Sequence, residues 1–214
     1  AFVFGILIAV PVGVISAYKQ YSVFDQIGTF VSMVGYSVPT FFTGLLAIVI
    51  FSVKLGWFPS YYDTTLEVTD WSSFVAQIKQ IVLPVGVLSM FNAAALSRFT
   101  RSSMLDNLSE DYVRTARSKG LKEKRVLVRH VLRNSLIPVV TLIALQVPGI
   151  FAGALITEQI FRINGIGHLL ISSIHGGDVP MVQTLSFMIA ALTVAFNLVA
   201  DVVYGILDPR IRYD

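Results

Sequence analysis

Two histidines and an aspartate in the last third of the chain are the side chains best suited to metal chemistry. His168 and His175 lie seven residues apart, and Asp178 follows three residues later. Imidazole and carboxylate groups are donors that zinc accepts, but a seven-residue spacing is not diagnostic of a zinc site. Solvated or interfacial histidines are therefore the favoured interpretation. The chain contains no cysteine, which excludes thiolate ligands and disulfides.

The sequence lacks the motifs on which common hydrolytic enzymes depend. A P-loop needs a Gly-Lys pair, because the lysine must reach the phosphates that the backbone amides cradle, and no such pair is present. The HExxH pattern of zinc proteases and the GxSxG pattern of serine hydrolases are also absent. We therefore expect no enzymatic activity and no bound cofactor in this chain.

A few polar side chains fall within or beside long apolar segments, where they are costly and tend to be functional. Asp201 lies one turn beyond Asn197, and a proton-coupled carrier could use such a carboxylate. Pairing of Asp201 with a basic residue of a nearby loop is the favoured alternative. Glu158 marks the end of another apolar segment, where it faces either a pathway or water. On polarity alone, Asn92, Glu158 and Asn197 are the candidate pathway residues.

The most informative segment is the basic stretch from 109 to 138. Ser109, Glu110 and Asp111 place a capping residue and acids at a helix start, and Gly120 provides a stop or sharp turn. The pattern predicts a short helix between them. Beyond the glycine, basic residues recur at three- and four-residue steps, which predicts a second, amphipathic helix: Lys122, Arg125, Arg129 and Arg133.

Two uses of this basic stretch are compatible. Basic amphipathic helices commonly hold anionic lipid head groups, which would suit the second helix. A short helix projecting from a membrane can also insert into a groove of a soluble partner, which would suit the first.

The elements that must position these residues are membrane-spanning helices. Of the 214 residues, 55% are hydrophobic and 14% are charged, which is more apolar than a soluble domain usually buries. About 20 apolar residues are needed to cross a bilayer. This length predicts five spans: 1–18, 27–53, 74–97, 135–157 and 181–206. All of them except the last contain a proline.

The distribution of charge predicts the orientation of the spans. Ten of the 16 Lys and Arg residues lie between 98 and 133, and the positive-inside rule places that connection in the cytoplasm. The N-terminus is then outside and the C-terminal tail inside, and the net charge of +3 does not indicate nucleic acid. The chain opens inside an apolar run without methionine, so we expect a truncated start.

Several blocks of the sequence together resemble one family. Arg114-Thr115-Ala116 followed by Gly120, with Leu-Ile-Pro at 136–138, resembles the EAA loop of ABC importer permeases. The blocks DYVRTARSKGL, RHVLRNSLIPVVT, EQIFRINGIGHLL, GGDVPMVQ and LDPRIRYD are similar to the dipeptide and oligopeptide permease family, first-subunit type. Arg114 replaces the glutamate of the generic motif and Thr115 its first alanine, as is usual in the peptide branch.

The resemblance implies an all-α bundle of the type I importer permease kind, a single transmembrane domain over 1–214 with a cytoplasmic coupling loop at 98–134. It implies a bacterial cytoplasmic membrane, a second homologous permease, two ABC ATPases that bind ATP and magnesium, and an extracytoplasmic substrate-binding protein near the loops 54–73 and 158–180. The implied cargo is a dipeptide or oligopeptide, with glutathione or nickel chelates as alternatives.

The resemblance also implies which residues dock onto an ATPase. They form one continuous stretch: Asp111, Tyr112, Val113, Arg114, Thr115, Ala116, Arg117, Ser118, Lys119 and Gly120. A rival class is an ion-coupled secondary carrier, which would place charges at mid-membrane and often contain inverted repeats. Mid-span charge is almost absent here, and no repeat is apparent.

Overall fold

The computed structural model describes residues 1–151 and 154–207, and among these residues it contains helices and connections but no strand. The all-α class predicted from the sequence is confirmed. The helices, in chain order, are α1 Phe2–Tyr18, α2 Val23–Ser37, α3 Thr40–Ala47, α4 Trp71–Leu108, α5 Asp111–Ser118, α6 Glu123–Val126, α7 Arg133–Phe151, α8 Leu155–Phe161, α9 Ile166–Gly176 and α10 Val179–Leu207. Two π-helical segments continue α3 and α6, at Ile48–Lys54 and Leu127–Leu132.

The described residues divide into two compact units. Unit 1 comprises 1–2, 38–90, 147–151 and 154–197, and unit 2 comprises 3–37, 91–146 and 198–207. Helices α1, α4, α7 and α10 contribute residues to both. Among the described residues, unit 1 has one buried apolar cluster and unit 2 has two.

Unit 2 is held together where small residues let helices approach closely. A Cβ on Gly13 of α1 would lie 2.6 Å from Thr100 Cβ and 2.7 Å from the Ser97 carbonyl oxygen of α4, so only glycine fits this crossing. The Ser97 hydroxyl is also hydrogen-bonded to the Ser32 hydroxyl of α2 at 3.0 Å. One apolar cluster is built around Ala9, Ala93, Leu96 and Val139.

Unit 1 is centred on Phe161, the last residue of α8. Its side chain is buried with Leu83 and Val87 of α4, and a Cβ on Gly44 of α3 would lie 3.4 Å from its ring. The Phe161 carbonyl accepts a hydrogen bond of 2.8 Å from the Tyr62 backbone N–H. The connection between α3 and α4 is thereby fixed to α8.

The described helices meet the membrane-spanning criterion in several places. Three helical stretches are long and apolar enough to cross a bilayer: Trp71–Leu108, Glu123–Val147 and Val179–Val202. The pair Val23–Ser37 and Thr40–Lys54 meets the criterion together but is bent by 104°, and α1, with 17 residues, is slightly shorter. Many large apolar side chains of these helices are exposed, as expected of a surface that faces lipid or another membrane subunit.

The predicted span 27–53 is not one continuous helix. The chain breaks between Ser37 and Thr40, and Pro39 has an extended ψ of 138°. Proline has no N–H to donate and disfavours helical backbone in the residue before it. Two helices joined at a sharp bend replace the straight span that hydropathy predicts.

The predicted spans 74–97 and 135–157 also differ from the observed helices. Helix α4 continues to Leu108, because basic residues end the apolar stretch without breaking the helix. At the other span, Ala154 has non-helical backbone (φ −95°, ψ 64°), so the last residues of 135–157 belong to α8. The predicted connection 98–134 is consequently mostly helical, comprising the end of α4, α5, α6 and a π-helical segment.

Candidate functional site

Helix α5 is a short helix with two different faces. Glu110, with extended backbone (φ −70°, ψ 149°), precedes it, Asp111 lies in its first turn and Arg117 in its last. These charges oppose the helix dipole at both ends. Val113 and Ala116 are buried, at 0% and 4% exposure, so one narrow face of the helix is committed to the interior of unit 2.

The interior face of α5 packs into the larger of the two buried apolar clusters described in unit 2. Val113 and Ala116 share a cluster with Ala17 of α1, Met104 of α4 and two buried valines that follow α5: Val126 and Val131. Burying a valine completely contributes about 1.5–3 kcal/mol. The packing therefore holds α5 in one position against the rest of unit 2.

The outward face of α5 is polar. Of the ten residues predicted to dock onto an ATPase, Tyr112 is half-buried, Val113 and Ala116 are buried, and the remaining seven are exposed: Asp111, Arg114, Thr115, Arg117, Ser118, Lys119 and Gly120. The predicted stretch is therefore not a uniform surface. Val113 and Ala116 are not accessible to another chain.

Helix α5 ends in a Schellman motif at Gly120. The Gly120 N–H donates to the Arg117 carbonyl at 2.9 Å, and the Leu121 N–H donates to the Ala116 carbonyl at 3.4 Å. Gly120 has φ +73°, which glycine adopts without the Cβ penalty that other residues incur. The glycine that the sequence predicts to end the helix thus also allows the carbonyl groups of the last turn to accept hydrogen bonds.

An ion pair spans the glycine turn. Arg117 Nη2 lies 2.7 Å from Glu123 Oε1, and Arg117 Nε donates to Glu123 Oε2 at 3.1 Å. The carboxylate raises the pKa of Arg117 further above its usual value. Because the two residues are on α5 and α6, the bidentate pair favours one angle between these helices, with a contribution of at most about 1 kcal/mol since the side chains are 44% and 42% exposed.

Hydrogen bonds also join α5 to two membrane-spanning helices. The Tyr112 hydroxyl donates to Asn107 Oδ1 at 2.6 Å, and Asn107 Nδ2 donates to the Ser103 carbonyl at 2.9 Å. The Ser103 hydroxyl, on α4, donates to the Ser135 carbonyl of α7 at 2.8 Å. A displacement of α5 would therefore strain both α4 and α7.

A buried ion pair on the same unit was not predicted from the sequence. Arg101 of α4 contacts Asp25 of α2 through Nε–Oδ1 at 2.7 Å and Nη2–Oδ2 at 2.8 Å. Asp25 is 3% exposed, and Oδ2 also accepts from the Tyr21 backbone N–H at 2.9 Å. Tyr21 has a left-handed φ of 63°. An acid at the start of α2, 76 residues from its partner, carries no local signal of this pairing.

The three candidate pathway residues lie in different surroundings. Asn92 of α4 is half-buried in unit 2, and Asn197 of α10 is exposed in unit 1. Glu158 of α8 is half-buried, and both of its oxygens accept backbone hydrogen bonds, Oε1 from Ala154 at 3.1 Å and Oε2 from His168 at 2.9 Å. The Glu158 carboxylate thus ties α8 to α9.

The remaining candidates for chemistry do not form a cluster. Residues 1–151 and 154–207 hold no group of three His, Asp or Glu side chains that could bind a metal. Asp178 instead accepts a hydrogen bond of 3.1 Å from the Met181 N–H at the start of α10. Asp201 is exposed and forms no ion pair with another described residue; the arginines of the C-terminal tail lie outside the described residues.

These features define a multi-pass, all-helical membrane protein with a short, two-faced helix between its spans. Residues 9–213 match the family described as "Binding-protein-dependent transport system inner membrane component". The chain belongs to this family of transport permeases.

Curated relatives agree with this assignment. The chain is 44% identical to the oligopeptide transport system permease protein AppB of Bacillus subtilis (strain 168), over 99% of this chain and 66% of the relative. It is 44% identical to the di/tripeptide transport system permease protein DppB of Pseudomonas aeruginosa, over 94% and 65%. It is 37% identical to the dipeptide transport system permease protein DppB of Escherichia coli (strain K12), over 100% and 68%. The chain spans slightly less than two thirds of the first two relatives.

Proposed function

We propose that this chain is a membrane-spanning permease subunit of an ATP-driven importer of dipeptides or oligopeptides in a bacterial cytoplasmic membrane. It forms the translocation pathway together with a second, homologous permease, and a substrate-binding protein delivers the cargo to the outer face. ATP is bound and hydrolysed by two ATPase subunits, not by this chain. The names of the relatives support peptides as the cargo.

The observation that carries the proposal is the division of α5 into a buried and an exposed face. The inward face is anchored by the complete burial of Val113, by the Schellman closure at Gly120 and by the ion pair between Arg117 and Glu123. Together these contacts hold Arg114, Thr115 and Lys119 outward on a rigid support. A rigid, projecting helix is suited to insertion into a groove of a partner that delivers mechanical work.

The proposed docking face comprises the seven exposed residues from Asp111 to Gly120. Val113 and Ala116 lie on the opposite, buried side of α5 and hold the docking face on unit 2. Asn92, Glu158 and Asn197 remain the proposed pathway residues. Because the oxygens of Glu158 already accept backbone hydrogen bonds, its contribution would be to hold the shape of α8 and α9. The segments 54–73 and 158–180 are the proposed contacts for the binding protein.

Cross-linking tests the docking face directly. The chain has no cysteine of its own, so Thr115→Cys provides a unique thiol on the exposed face of α5, and Thr64→Cys provides a matched exposed thiol in the segment 54–73. Each variant, purified with its partner subunits, is labelled with a benzophenone maleimide and irradiated. We expect Thr115→Cys to yield a product with the mass of this chain plus one ATPase, and Thr64→Cys to be labelled but to yield no such product.

Two results would contradict the proposal. One is modification of Thr115→Cys in intact cells by a thiol reagent that cannot cross the membrane, which would place α5 on the exterior. The other is uptake by vesicles that contain this chain alone and are energised only by an ion gradient, which would indicate a secondary carrier.

A further inference from the structure

An open, mainly apolar groove lies on unit 2, outside the proposed docking face. Its volume is about 360 Å³, which is within the usual range of ligand sites. Its walls come from α1, α4, α6 and the π-helical segment after α6: Val14, Ile15, Tyr18, Met104, Lys124, Leu127, Val128 and Leu132. Apart from Tyr18 and Lys124 these side chains are wholly apolar, and they suit a hydrocarbon chain.

A second, basic groove adjoins the first. It has a volume of about 500 Å³ and shares Lys124 and Val128 with the apolar groove. Its other lining residues are Gly120, Leu121, Lys122, Arg125 and Arg129. Because they share these residues, the two grooves form one continuous surface. In this surface the apolar groove lies beside a cluster of cationic side chains.

The cations of this surface have no acidic partners in the described part of the chain. The nearest acid in sequence, Glu123, is engaged by Arg117. None of the ion pairs between described residues uses Lys122, Lys124, Arg125 or Arg129. A cluster of unpaired positive charges at the edge of an apolar helix attracts an anion.

We propose that these grooves together bind one anionic phospholipid, with an acyl chain along the apolar groove and the head-group phosphate on Lys124 and Arg125. A free phosphate would not use the apolar groove, and a zwitterionic lipid would gain less from the cations. The half-exposed ring of Tyr18 at the end of α1 suits the head-group level, where aromatic residues are enriched. Because the basic groove begins at Gly120, this lipid lies directly beside the turn that ends α5.

The site is tested by native mass spectrometry of the purified complex, with phosphatidylglycerol, phosphatidylcholine and glycerophosphoglycerol as probes. We expect phosphatidylglycerol to bind at least tenfold more tightly than phosphatidylcholine, and the head group without chains not to bind measurably. Each Lys or Arg contributes about fivefold to attraction for an anionic lipid. The variant Lys124→Gln/Arg125→Gln should therefore weaken phosphatidylglycerol binding about 25-fold, from the same per-charge factor applied twice.

A second variant tests the apolar groove separately from charge. Val128 is 57% exposed, so Val128→Trp can fill the groove without disturbing the core, and it should remove phosphatidylglycerol binding while every cation is retained. The control is Arg133→Gln, which removes a charge on the same continuous helix but lines neither groove; it should leave binding within about twofold.

Three outcomes would overturn the proposal. Equal binding of phosphatidylglycerol and phosphatidylcholine would mean that the cations do not select the lipid. Unchanged binding by Val128→Trp would mean that no chain occupies the groove. If Val128→Cys in the delipidated complex resists a small lipid-soluble maleimide, another protein segment covers the groove and no lipid can bind there. These results do not depend on cargo or ATPase docking, so transport can fail or succeed independently of them.

Discussion

The geometry of the ion pair between Asp25 and Arg101 predicts that substituting Arg101 destabilises the chain more than substituting Asp25. Asp25 is almost fully buried, and its side chain is 4% exposed, whereas the side chain of Arg101 is 26% exposed. Arg101→Met keeps the apolar stem but leaves a carboxylate buried with only the Tyr21 N–H and a weak contact from the Thr29 hydroxyl. Asp25→Asn leaves a guanidinium that can reach water.

The magnitudes follow from these exposures. Leaving one charge of a buried pair uncompensated costs about 3–5 kcal/mol, which is the expected loss for Arg101→Met. Loss of hydrogen bonds to a charged group that can be rehydrated costs about 1.5–3 kcal/mol, which is the expected loss for Asp25→Asn. The double variant removes the uncompensated carboxylate, so its destabilisation should be about 2 kcal/mol less than the sum of the single variants.

The assay is reversible unfolding of the purified chain in mixed micelles of dodecyl sulfate, followed by circular dichroism. Arg98→Met is the control, because Arg98 is an exposed arginine one turn earlier on α4 that contacts the Tyr36 ring at 6.0 Å; it should cost no more than about 1 kcal/mol. Equal losses for the two single variants, or strict additivity in the double variant, would refute the reasoning that burial of the carboxylate dominates.

Three further changes test α5 and the α8–α9 pair. Gly120→Val should incur about 1–2 kcal/mol of backbone strain at φ +73° and reduce ATP-driven uptake by vesicles. Gly120→Asn should retain most of the uptake, because asparagine tolerates left-handed backbone better than valine. Equal uptake by both variants would contradict the Schellman assignment. Ala116→Glu should lower the melting temperature of the chain, because it buries a charge at a cost of at least about 3 kcal/mol, whereas Arg114→Glu should leave the melting temperature unchanged and weaken ATPase co-purification. Glu158→Gln leaves one acceptor oxygen for two backbone donors, so exchange at either the Ala154 or the His168 amide should accelerate about tenfold or more. Asp178→Asn, which affects only the start of α10, should leave both amides unchanged.

The sequence was sufficient to predict the class of fold and the nature of α5. Hydropathy identifies bilayer-length apolar segments because the membrane requires about 20 apolar residues whatever the sequence. The acids at 110 and 111 and the glycine at 120 are local signals, since each lies within one turn of a helix end. The predicted cap at Ser109 was wrong, because the Ser109 hydroxyl donates to the Asp106 carbonyl and no side chain caps α5. Helix α5 lies where these signals place it, from Asp111 to Ser118.

Three other features were not predicted, two because hydropathy does not report helix ends and one because its contact is remote in sequence. Hydropathy averages across Pro39 and cannot indicate that the helix axis turns by 104° there. The residues that end an apolar stretch do not end a helix, so α4 extended beyond residue 97 to Leu108. Arg101 was counted among the loop charges that predict the orientation of the spans, although its guanidinium forms an ion pair with Asp25. No periodicity links two residues 76 positions apart.

In the proposed transporter, only the outward face of α5 can receive force from an ATPase. A partner can push only on exposed residues such as Arg114 and Thr115, but a push has consequences elsewhere only if the helix cannot yield. Complete burial of Val113 and the hydrogen-bond connection from Tyr112 through Asn107 to α4 prevent α5 from moving alone. The bond from Ser103 to the Ser135 carbonyl extends this connection to α7. Displacing α5 therefore requires unit 2 either to break these contacts or to move with the helix, and moving with the helix costs less because the internal packing is retained.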